Sequence, residues 1–207
     1  MVFLSTHGMR SCDGDKNDPL DSAAGANYWS AWFMGQSNPA IQAPHFDSCT
    51  VYTTNAKFGD VATGDLNYAI FATCHSAQRC VFKNGWYWNV GDDNFGAMMG
   101  FHGISYDSWW NTDRYGDYVA SARYNNLGDD WVDDLTDLSD VFDHAYWPYA
   151  QCATVVTFGK NKSDCRDQYN DAGHLDYHDV DGRQRVQSRF HYWCGCNPDN
   201  GEKLPDC

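Results

Sequence analysis

The chain has 207 residues, with 28 acidic against 14 basic side chains and a formal charge of −14. That length fits one domain with a sizeable core, and 43% hydrophobic with 16% aromatic content excludes a disordered chain. So acidic a surface repels nucleic acid and anionic membrane and attracts basic peptides or cations, and no apolar run approaches the ~20 residues that span a bilayer.

In chain order, Val2-Phe3-Leu4-Ser5-Thr6 is a short apolar run that ends in His7-Gly8. Such runs, closed by a polar cluster, read as buried strands. Residues 9–48 are rich in Gly, Asn, Asp and Pro and read as a long structured loop or short helices, with an aromatic knot at residues 28–33. Within it, Asp13, Asp15, Asn17 and Asp21 alternate oxygen ligands like a calcium loop. The segment lacks the glycine and the final acid of an EF-hand, so a solvated turn competes with it.

The second strand run, Tyr68-Ala69-Ile70-Phe71-Ala72-Thr73, ends in Cys74-His75-Ser76. A helix or extended loop is expected through Trp86-Tyr87-Trp88. Residues 97–105 follow as a strand carrying a second His-Gly, His102-Gly103. Residues 112–127 have helical spacing, with Tyr115, Val119 and Ala122 on one side and Thr112 or Asp113 as cap. Trp131, Leu135, Leu138 and Phe142 give residues 129–142 a helical apolar stripe with an acidic outer face. Residues 152–158 and 185–193 read as further strands. His174 and His178 are a weak metal pair, since Asp179-Val180-Asp181-Gly182 reads as a turn. One domain is expected over 1–193, with a cysteine-rich tail over 194–207 packed on it. Alternating strands and helices argue for an α/β sandwich with a largely parallel sheet.

All but one of the 28 acids are aspartates, Glu202 being the exception, which favours short helices and many turns. The nine cysteines suit oxidising surroundings, so a secreted protein whose leader has been removed is expected. Eight could form four disulfides and leave one reactive thiol, and Cys74 is the candidate. For the tail, disulfides are favoured over zinc.

An imidazole and a thiol delivered by adjacent parallel strands to the same sheet edge make a minimal apparatus for acyl transfer. The ordered pair of blocks, apolar strand then His7-Gly8 and apolar strand then Thr73-Cys74, resembles the caspase-like superfamily of cysteine peptidases, which includes caspases, legumains, gingipains and clostripain-like enzymes. It is similar to uncharacterised bacterial caspase-like domains with a Phe-Ala-Thr-Cys-His-Ser stretch and a later Gly-Phe-His-Gly segment. The resemblance covers mainly residues 1–110. It departs where the chain opens directly in the His-Gly strand and where Thr73 replaces the more usual Ala.

The resemblance implies a caspase-like three-layer sandwich, trimmed of earlier strands, with His7 as general base and Cys74 as nucleophile. Calcium binding by secreted members of the superfamily raises the standing of the Asp13–Asp21 loop; no cofactor is required. The chemistry is peptide-bond hydrolysis through a thioester, on a peptide or protein substrate of basic character. Gly8 supplies a backbone N–H for the oxyanion, and His102 is a substrate contact or a satisfied core histidine, with a lesser claim to be the base. Two rivals stand beside this reading. One is a ligase or cyclase on the same fold. The other is an inactive extracellular structural or binding module, for which Cys74 should be buried or disulfide-bonded, with Cys80 an obvious partner.

Overall fold

The computed structural model describes residues 2–5, 8–11, 29–33, 50–52, 68–79, 96–105, 109–138, 151–170, 187–199 and 201–204; for those before 68 and for 109–112 it describes backbone alone. Eight strands and three helices lie in these segments. Strands β1 (Val2–Ser5), β5 (Tyr68–Ala72), β6 (Ala97–Phe101), β7 (Ala153–Gly159) and β8 (Gln187–Tyr192) form one sheet in the order β1-β5-β6-β7-β8. The pairings β1–β5 and β5–β6 are parallel, whereas β6–β7 and β7–β8 are antiparallel. The fold is therefore mixed α/β, with half of this sheet antiparallel where a largely parallel one was expected.

The central strands carry the apolar runs for a physical reason. Every residue of β5, β6 and β7 is buried, so both faces must be apolar or hydrogen-bonded. Strand β8 ends the described sheet and alternates exposed and half-buried residues at its start.

Residues 9–48 are not simply loop and short helix. Strands β2 (Gly8–Ser11), β3 (Trp29–Phe33) and β4 (Thr50–Tyr52) make a second, antiparallel sheet, and the aromatic knot is its middle strand.

Helices α1 (Trp109–Ser121) and α2 (Leu127–Leu135) pack on one face of the large sheet. Tyr68, Ile70, Met99, Phe101 and Val155 meet Tyr118, Ala122, Leu127, Trp131 and Leu135 there. Trp131 is fully buried, touches the Phe101 and Tyr118 rings, and donates its indole N–H to Gly100 O at 3.1 Å. That burial is worth about 2–3 kcal/mol, so Trp131 decides which face of α2 turns inward. Helix α3 (Lys162–Asn170) lies on the same face, where the Thr157 hydroxyl donates to Cys165 O at 2.7 Å.

Both expected helices shift. α1 starts at Trp109, which puts Thr112 and Asp113 inside it rather than at its cap. Its inward face is Tyr115, Tyr118 and Ala122, while Val119 is 53% exposed. α2 is capped by Asn126, whose side-chain oxygen accepts from Gly128 and Asp129 N–H at 2.9 and 3.0 Å. It ends at Leu135 because Asp137 pairs with Gln151 in an isolated bridge and Arg114 draws Thr136 O and the Asp137 carboxylate at 3.0 and 3.1 Å. Leu138 therefore lies beyond the helix, and Phe142 lies outside the described residues.

Candidate functional site

The parallel register of β1 and β5 pairs Val2 with Ala69, Phe3 with Ile70, Leu4 with Phe71 and Ser5 with Ala72. Sequence positions 7 and 74 each fall two residues past the last of these pairs, at the carboxyl ends of adjacent parallel strands. His7 itself lies outside the described residues. Gly8 opens β2, paired with Trp32, so the second sheet begins directly after position 7.

Cys74 sits in a tight turn that follows β5. It is a free thiol and half-buried, so it is neither fully buried nor disulfide-bonded, the two states expected of a structural module. Its S–H donates to Ser105 O at 3.6 Å, with the Ser105 hydroxyl at 4.0 Å. Ser105 carries no sequence signal beyond following the His102-Gly103 block.

The turn owes its shape to β6 as much as to its own residues. His75 has a φ of 58°, in the left-handed region that His tolerates better than most side chains. Its N–H donates to Gly103 O at 2.7 Å, and the Ala77 N–H donates to Phe101 O at 2.9 Å. The buried Ser76 hydroxyl accepts the Phe101 N–H at 3.1 Å and shares its own proton between Phe71 O and Thr73 O, each at 2.9 Å. Gly100 makes room for this: a Cβ there would stand 2.5 Å from Ser76 Oγ.

His102 does not line a crevice. It has 0% exposure, its ring lies edge-on to Tyr192 at 4.7 Å, and among the described residues neither ring nitrogen has a hydrogen-bond partner. Burial, reinforced by the Arg79 charge, pushes its pKa down to about 3, so the ring is neutral. Of the two roles expected for His102, this placement is that of a core histidine, with its nitrogens unbonded among the described residues.

Cys165 is a second free thiol, fully buried, with its S–H on Gln187 O at 3.6 Å. Burial raises its pKa, with Asp164 adding to the effect, which disfavours the thiolate. Cys74 is thus not the sole unpaired cysteine, and four disulfides with one thiol left over do not describe this chain. Cys152 is bonded to Cys196, which ties the tail to the domain, and Cys194 is also disulfide-bonded. Asp13, Asp15, Asn17 and Asp21 lie outside the described residues, as do His174, His178 and the Trp86–Trp88 segment. Among the described residues no group of three or more His, Cys, Asp or Glu is placed to hold a metal, and no helix is long and apolar enough to cross a membrane.

Compared with protein-family models, curated proteins and solved structures, the chain matches none.

Proposed function

We propose that the chain is a cysteine-dependent peptide-bond hydrolase in which Cys74 is the nucleophile and His7 the general base. The observation that carries this reading is the β1–β5 register, which ends at Ser5 and Ala72 and leaves a free, half-buried thiol two residues on. The imidazole at position 7 takes the thiol proton, and the sulfur attacks the scissile carbonyl carbon. The C–N bond breaks as the imidazolium protonates the leaving amine, which leaves a thioester on Cys74. Water, deprotonated by the same imidazole, then releases the acid and restores the thiol. The Gly8 N–H is the candidate oxyanion donor. His102 has no such part, because a fully buried ring cannot reach substrate. The excess of 28 acidic over 14 basic residues favours basic peptides, and the disulfides favour an extracellular setting, with calcium a candidate ligand of the Asp13–Asp21 loop.

The test is turnover on a basic peptide library by the oxidised chain and by Cys74→Ala and His7→Ala. Each substitution should lower turnover by about 10³-fold or more while leaving the unfolding midpoint unchanged. Activity that survives Cys74→Ala would overturn the proposal, as would a Cys74→Ala variant whose only defect is lost stability.

A further inference from the structure

Residues 193–199 and 201–204 fold back on themselves. Cys196 bridges Lys203, the Asn197 N–H donates to Glu202 O at 2.9 Å, and the Leu204 N–H donates to Gly195 O at 2.8 Å. One arm of this hairpin is tied to the large sheet by the Cys152–Cys196 disulfide, across 44 residues of sequence. Its tip rests on the Cys74 turn. Pro198 O accepts the Arg79 N–H at 3.1 Å, Asp199 O accepts from the Gln78 side-chain amide, and the Asp199 carboxylate lies 3.7 Å from the Arg79 guanidinium. Gly201, at φ 75°, presses so closely on the neighbouring loop that a Cβ would stand 2.5 Å from Gly103 Cα. Gly103 O is the acceptor that holds the His75 N–H. A continuous contact path therefore runs from the disulfide through Gly201 and Gly103 to the residue beside Cys74.

We propose that this hairpin is a clamp on the Cys74 turn, latched by the Cys152–Cys196 disulfide. Without the latch the hairpin keeps the Cys194 disulfide, an exposed ion pair, worth little, and a few hydrogen bonds to the turn whose effective concentration has fallen. The turn then loses its backing at Gly103 and Arg79. The effect on peptide hydrolysis rests on the reading of Cys74 as nucleophile, whereas the clamp itself does not.

The experiment is residue-resolved amide hydrogen exchange on the full oxidised chain and on Cys152→Ser/Cys196→Ser, a variant that leaves the Cys194 disulfide alone. The His75, Ala77 and Arg79 amides should exchange about tenfold faster or more in the variant, with Val155 and Val156 of β7 still protected. Unchanged turn amides would overturn the clamp, and so would an equal loss in β7, which would make the disulfide a global staple. Gly201→Val, which keeps the disulfide but forces the hairpin off Gly103, should loosen the same three amides; if it does not, the clamp is also refuted. Loosened amides with unaltered turnover would uphold the clamp and refute its control of hydrolysis, whereas the loss of turnover in Cys74→Ala tests the nucleophile separately.

Discussion

Replacing Ser76 with Ala tests whether the nucleophile turn is held by the neighbouring strand. The hydroxyl is buried and makes two kinds of bond, and they differ in what their loss costs. As donor it serves Phe71 O and Thr73 O, but these carbonyls keep other partners, the Thr73 N–H at 2.7 Å and the Ser76 N–H at 3.4 Å. As acceptor it takes the Phe101 N–H at 3.1 Å. Removing that acceptor strands a buried amide at a cost of about 1–3 kcal/mol, so the second loss dominates. We expect Ser76→Ala to lower stability by about 2 kcal/mol in urea titrations followed by tryptophan fluorescence, and to speed alkylation of Cys74. Gly100 supplies an internal control, because its missing Cβ is the space that Ser76 Oγ occupies. Gly100→Ala alone should be severe, and in the Ser76→Ala background markedly less so, with a coupling of about 1–2 kcal/mol. A loss below about 0.5 kcal/mol for Ser76→Ala, or additive effects in the double variant, would refute the claim that this hydroxyl ties the turn to β6.

His102 makes stability depend on pH with a defined sign. Its folded pKa of about 3 lies below the ordinary 6.5, so the unfolded chain binds the extra proton and stability falls as pH drops below 6.5 towards 3. Between pH 7 and 5 the loss is about 2 kcal/mol, which His102→Phe should remove in urea titrations at the two pH values. His191, lowered to about 4 by burial and then by Arg189, leaves a residual slope of the same sign; an unchanged slope in His102→Phe would contradict the assignment. Asn126 joins two helices, since its oxygen caps α2 and its amide donates to Tyr169 O and Asn170 O at 2.7 and 2.6 Å at the end of α3. Asn126→Ala should therefore cost about 2 kcal/mol, and Asn126→Asp, which keeps only the cap, should recover about half in thermal melts.

Five of the eight strands announce themselves in the sequence: strands buried on both faces, such as Tyr68–Ala72 and Ala153–Gly159, are short and mainly apolar, and Gln187–Tyr192 shows the alternation of a partly exposed strand. Helix α3 gives no such signal: Lys162–Asn170 buries only Cys165 and Gln168, so its stripe is too thin to read. The inward face of α1 is misjudged by one position for a related reason. Spacing alone allows Val119 or Tyr118, and the choice falls to Tyr118 because its ring packs against Trp131 at 5.2 Å and its hydroxyl reaches Met99 Sδ at 3.5 Å. Partners in tertiary space, not local preference, settle such ties.

The candidate site divides along the same line. Its reactive groups are side chains, so Cys74 and His7 can be picked out as residue types at the ends of apolar runs. The frame around Cys74 consists mainly of main-chain groups: Gly103 O holds His75, Phe101 O holds Ala77, Pro198 O holds Arg79, and Ser105 O accepts the hydrogen bond of the thiol S–H. A carbonyl is the same group whatever residue bears it, so these contacts leave almost no mark in the sequence. The mark they do leave is steric. Where two backbones or a backbone and a hydroxyl must close up, a side chain is excluded, and glycine stands at Gly100 against Ser76 and at Gly201 against Gly103. A glycine in an otherwise apolar strand, Ala97-Met98-Met99-Gly100-Phe101, is thus the readable trace of a turn packed upon it. That turn belongs to the nucleophile candidate, and the glycine therefore points to Cys74 from a strand that bears none of the proposed chemistry.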